Sequence, residues 1–127
     1  MMTNLKSLSQ DWELIIVDDG STDRSFELAK SLEKDYAKLT LIGYPVNRGR
    51  GFALRTGVAK TSGELVVTTE IDSSWGDNII HKIIAEFSNK KDADIIIASP
   101  HLPGGRYKNV PLKRVILSSI GNLLIRK

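Results

Sequence analysis

The chain has 127 residues, 41% hydrophobic and 26% charged, with a net charge of +3 and no cysteine. That length suits one continuous core, and the composition is that of a folded globular domain rather than a disordered chain. The lack of cysteine excludes disulfides, thiolate metal sites and cysteine nucleophiles, and no apolar run reaches the roughly 20 residues that span a bilayer.

In chain order, Leu5, Leu8 and Trp12 come first at spacings of three and four, which predicts an amphipathic opening helix. Four short runs rich in Ile and Val follow: ELIIVD (13 to 18), LTLIG (39 to 43), ELVVTT (64 to 69) and DIIIAS (94 to 99). They are near-continuous rather than alternating, as in strands covered on both faces. Helical spacing separates them. Ser21 or Thr22 caps a helix carrying Phe26, Ala29, Leu32 and Tyr36, and Phe52, Leu54 and Val58 mark a second. Ile79, Ile80, Ile83, Ile84 and Phe87 mark a third, with Asp77 at its cap. Pro111 starts a fourth, which gathers Leu112, Val115, Ile116, Ile120, Leu123 and Leu124 to one side. Strand alternating with helix builds parallel βαβ units, so the fold class is α/β, a mostly parallel, doubly wound sheet flanked by helices, in a single domain over 1–127.

The opening residues lack the pattern of a signal peptide, so a cytoplasmic protein, soluble or peripheral, is expected. Arg106, Lys108, Lys113, Arg114, Arg126 and Lys127 crowd the last quarter. They suit an anionic partner there (phosphate, nucleic acid or a lipid headgroup surface) or simply a solvated helix face.

In such sheets ligands bind beyond the carboxyl ends of the strands, and three of these runs end in polar chemistry. The first ends in Asp18 and Asp19. Adjacent carboxylates repel, so they belong where a cation or hydrogen-bond donors reach them. The stretch VDDGSTD also reads as a plain strand-to-helix turn, with Gly20 at the bend and Ser21, Thr22 and Asp23 suited to a helix start. The acidic pair of a phosphoacceptor receiver is excluded, because no lysine follows DIIIASPH at the required strand end. In NRGRGFALRTGVAKTSGE (47 to 64), Gly49 and Gly51 permit close backbone approach to a ligand, while Arg48, Arg50 and Arg55 offer donors for phosphate or carboxylate. It is neither a Walker loop nor a dinucleotide fingerprint. In TTEIDSSWGD (68 to 77), Glu70 and Asp72 stand two apart, so in extended backbone they point the same way and suit a hard divalent cation. The fourth run leads to Ser99, His101 and the Gly-Gly-Arg-Tyr of 104 to 107.

In this order, IIVDDGSTD, NRGRGFALRTGVAKTSGELVV, EIDSS and SPHLPGGRYKNVPLKRVILSSIGNLL make the chain resemble the family 2 glycosyltransferases of the GT-A fold, most closely the polyprenyl- or dolichyl-phosphate mannose or glucose synthases. The resemblance covers about residues 12 to 125. It implies transfer of a hexose from a nucleotide-diphospho-sugar, of GDP-mannose or UDP-glucose type, to a polyprenyl phosphate at a membrane surface, without nucleic acid. It implies a nucleotide-sugar site at Asp18, Asp19, Gly20, Ser21, Arg48 and Gly49, and Mg2+ or Mn2+ on Glu70 and Asp72. Arg106 and Arg114 would meet the acceptor phosphate, and Asp72 and Asp77 are candidate catalytic groups. Glu70 stands where the family usually has the leading Asp. The family's first strand, which lies between those matching 13 to 18 and 64 to 69, has no counterpart within residues 1–127. That implies two open ladders and a homo-oligomer or an exchanged strand to close them. The rival reading is a non-catalytic module of the same fold that binds a nucleotide or a partner chain; a nucleotidyltransferase would want a Gly-rich loop and a lysine that are not visible.

Overall fold

A computed structural model describes residues 5, 7, 8, 11–70, 76, 78–102, 105 and 110–125. The chain divides into two compact units, Met1–Thr69 and Glu70–Lys127.

The first unit is built on two parallel strands, β1 (Leu14–Asp18) and β2 (Leu39–Gly43), with Leu14 opposite Leu39 and Asp18 opposite Gly43. Parallel neighbours need a crossover, and α1 (Ser25–Asp35) provides it, packing on both strands. The Phe26 ring lies directly on Gly43, where a Cβ would come within 2.4 Å of it. A second helix, α2 (Arg50–Val58), packs on β1, with Gly57 close against the Val17 side chain. Leu39 is buried, as is Leu5, whose carbonyl accepts the Leu8 N–H at 3.1 Å. Most of the predicted opening helix lies outside the described residues.

The expected cap of α1 is corrected. Arg24, not Ser21 or Thr22, occupies the N-cap position and gives no side-chain cap, because the Ser21 hydroxyl is turned back onto Asp18. Asp23 instead accepts the Ser25 N–H at 3.0 Å.

The α/β class and the parallel sheet flanked by helices hold, but the sheet is smaller than expected. Among the described residues it has two strands, and 64–69 and 95–99 form no ladder. Leu14 donates to the Lys38 carbonyl, so in this register Leu14, Ile16 and Asp18 face β2 while Ile15 and Val17 face away. No described backbone group pairs with that second edge. The outer edge of β2 is covered: Leu39 N–H reaches the Tyr36 carbonyl, and Leu41 N–H reaches the Glu33 carboxylate at 2.9 Å.

The second unit contains α3 (Ile79–Asn89) and α4 (Leu112–Ile125). The N-cap of α3 is Asn78, where Asp77 was expected; Asp77 itself lies outside the described residues. Pro111 starts α4 as expected, its carbonyl accepting the Arg114 and Val115 N–H groups at 2.9 and 3.3 Å. Residues 95–99 form no regular element, and Ile95 and Ile97 are largely exposed.

Candidate functional site

The carboxyl end of β1 delivers Asp18 and Asp19 to the surface, and the backbone turns at once through Gly20. Its φ of 72° is left-handed, and a Cβ there would stand 2.6 Å from the Asn47 backbone nitrogen. Only glycine satisfies both demands without strain. Asp18 accepts the Ser21 N–H at 3.1 Å and the Ser21 hydroxyl. Asp19 reaches across to the loop after β2, accepting the Arg48 N–H at 2.8 Å on one oxygen and the Gly49 N–H at 2.9 Å on the other. Asn47 adds a bond to the same Gly49 N–H at 3.1 Å.

Two neighbouring carboxylates are therefore held in place by donors from different segments. The backbone N–H of Arg48, helped by the Tyr44 phenol and the Gly49 N–H, holds the Asp19 carboxyl below the ordinary carboxylate value. The Tyr44 hydroxyl is buried near Asp19 without reaching hydrogen-bond geometry. Desolvation, reinforced by the Asp19 charge, pushes it up to about 12.

Each carboxylate oxygen has two lone-pair directions, so both side chains keep acceptor capacity for a ligand. Asp19, Gly20, Ser21, Thr22, Asp23 and Asn47 line an open cleft of about 380 Å³. The sequence-expected residues Asp18, Asp19, Gly20, Ser21, Arg48 and Gly49 thus come together at one strand tip.

Three side chains at this tip were given no role in the site from the sequence, although Phe52 was named as a helix position. Asn47 was quoted within its motif without a role. Tyr44 and Phe52 form an edge-to-face pair at 5.3 Å and 89°, and the Arg48 guanidinium lies 4.8 Å from the Phe52 ring centre and 5.9 Å from that of Tyr44. The signal was the aromatic pair flanking NRG, visible only once β2 and α2 are placed. At the opposite end of β1, Glu13 accepts the Ser62 N–H at 2.6 Å, the Ser62 hydroxyl at 2.8 Å and the Gly63 N–H at 3.2 Å. These bonds, from Ser62 above all, lower its pKa.

In the second unit, Glu70 and Arg114 are described and exposed, Arg114 on α4. Asp72, Asp77 and Arg106 lie outside the described residues. Among the described residues no three carboxylate or imidazole groups converge as a metal cluster. His101 Nε2 lies 3.2 Å from the Ser118 hydroxyl, a contact between the 99–102 segment and α4. No described helix is long and apolar enough to cross a membrane.

The chain is similar in sequence to known proteins. The chain is 28% identical over 123 residues to dolichyl-phosphate beta-glucosyltransferase ALG5A of Trichomonas vaginalis, covering 94% of this chain and 38% of that protein. It is 31% identical over 108 residues to dolichol-phosphate mannosyltransferase of Pyrococcus furiosus, covering 85% and 30%. It is also 33% identical over 86 residues to undecaprenyl-phosphate 4-deoxy-4-formamido-L-arabinose transferase of Salmonella choleraesuis, covering 66% and 26%. The chain spans between a quarter and two fifths of these relatives' lengths. The model of glycosyl transferase family 2 matches residues 2–126, and the chain belongs to that family.

Proposed function

We propose that the cleft at the tip of β1 binds a nucleotide-diphospho-sugar of GDP-mannose or UDP-glucose type, and that the chain serves transfer of its hexose to a polyprenyl or dolichyl phosphate. The observation that carries this reading is the single constellation of Asp18, Asp19, Ser21, Asn47, Arg48 and Gly49. Carboxylate acceptors there suit the N–H and O–H donors of a base and ribose, and Arg48 brings charge suited to phosphate. The names of these three relatives, each a lipid-phosphate sugar transferase, support the acceptor class.

The donor set of Glu70 and Asp72, hard carboxylate oxygens, fits Mg2+ or Mn2+. Such an ion, when bound, neutralises charge on the leaving diphosphate. Arg106 and Arg114 would meet the acceptor's phosphate, and its anionic oxygen needs little base assistance, leaving Asp72 and Asp77 as the groups available to hold a proton. The exposed apolar side chains of α4, among them Leu112, Ile116, Ile120, Leu123 and Leu124, support contact with the membrane surface where such acceptors reside.

A thermal-shift panel of UDP- and GDP-sugars tests the reading, since a ligand of the folded state raises apparent stability. Titration calorimetry with Asp72→Ala then tests the metal. Donor binding is expected to strengthen in Mn2+ and to lose that gain in the variant; equal affinity in EDTA and Mn2+ would refute the metal role. The alternative, a non-catalytic module binding a nucleotide or a partner chain, is favoured by one observation, the unpaired second edge of β1. Donor hydrolysis or transfer by the purified chain separates the two readings.

A further inference from the structure

The most constrained cation near the cleft is Arg48, and what constrains it lies outside the motif that contains it. Its backbone N–H is fixed by Asp19, and its guanidinium lies over Phe52 and beside Tyr44. The two rings fix each other edge to face, and they arise from different elements: Tyr44 follows β2, while Phe52 sits in the first turn of α2. A guanidinium held over a ring still has N–H donors to offer a ligand. Among the described residues, none of those side-chain donors makes a hydrogen bond or an ion pair, although the backbone N–H of the same residue is bound by Asp19.

A free arginine on a loop loses considerable rotamer freedom when it grips a ligand. One already laid on two rings loses less, and its N–H donors remain available. We propose that Tyr44 and Phe52 are positioning residues that hold the Arg48 guanidinium at the Asp19 side of the cleft and thereby raise affinity for the diphosphate of the donor. The proposal rests on the reading of the cleft as a nucleotide-diphospho-sugar site. Neither ring touches the reacting atoms in this account; each acts through Arg48.

The test keeps the ring's shape and changes only its electrostatics. In the full chain, Phe52 is replaced by mono-, di- and trifluorophenylalanine, and UDP-glucose and GDP-mannose affinities are measured by calorimetry. Affinity is expected to fall stepwise, about two- to five-fold in total, the range of an exposed cation–π contact. Phe52→Trp should keep or improve it, Tyr44→Phe should keep it within two-fold, and Tyr44→Leu should weaken it. In an Arg48→Ala background the fluorination series should be flat. A series that is flat with Arg48 present, while donor still binds, overturns the positioning role and leaves the cleft reading intact. An unchanged slope in the Arg48→Ala background also overturns it, because the ring would then act on the ligand directly. No binding of either nucleotide-sugar by the unaltered chain overturns the cleft reading itself, and this inference with it.

Discussion

At Gly20 the backbone has to turn through positive φ while passing within contact distance of Val46 and Asn47. Gly20→Ala is therefore expected to destabilise the first unit by about 1–2 kcal/mol from the left-handed backbone alone, with the clash at Asn47 added. Denaturant unfolding measures the loss. Asp19 makes a separable prediction. Its pKa in the folded chain lies below the ordinary 3.8, so its ionised form contributes stability that is present above that value and lost as pH falls through the folded pKa. Glu13 behaves likewise below its ordinary 4.5. The melting temperature is thus expected to fall on acidification below about pH 4.5. In Asp19→Asn the acid dependence should be shallower, and the melting temperature at neutral pH lower, because Arg48 and Gly49 donate to different carboxylate oxygens and the amide sets an NH2 donor against one of those N–H groups. A variant with the parental acid profile would show that this carboxylate is not coupled to folding.

At the scale of elements, among the described residues β1 has one paired and one unpaired edge, whereas β2 has its outer edge covered by Glu33 and Tyr36. Exposed edges are templates for another strand. The amides of Ile15 and Val17 should exchange with solvent far faster than that of Leu14 in the isolated chain at low concentration. Light scattering should show assembly as concentration rises, with those two amides gaining protection. A monomer with a sharp thermal transition and a protected Ile15 would mean that 64–69 closes the gap from within. The fourth helix makes a second prediction. With Leu112, Leu117, Leu123 and Leu124 each more than 70% exposed and Lys113 and Arg114 near its start, α4 should bring the chain down with anionic vesicles but not neutral ones, less so in salt. Indifference to lipid charge would remove the membrane role.

For the molecule as a whole, the sequence was most legible where local signals act alone. Continuous Ile and Val runs located β1 and β2, helical spacing located α1 to α4, and Pro111 marked the start of the last helix. The Asp-Asp-Gly-Ser turn and the Asn-x-Gly loop, quoted from the sequence as separate motifs, are joined in the fold through Asp19. The runs at 64–69 and 94–99 carried the same composition as β1 yet form no ladder, because strand pairing depends on a neighbour that composition does not supply. Caps were misplaced for a related reason: Ser21 has the chemistry of a cap, but Asp18 competes for its hydroxyl. The stacking of Arg48 on Tyr44 and Phe52 was hidden because it joins β2's exit to α2's first turn, a proximity created only by the fold.

The bridge from Asp19 to the backbone N–H groups of Arg48 and Gly49 has a consequence for inheritance and engineering. The acidic turn and the glycine loop are separated by almost thirty positions in the chain, yet mechanically they are one part. The loop cannot be transplanted from a relative without an acid that matches it. A chimera carrying only one half would inherit two surfaces that no longer keep a common frame.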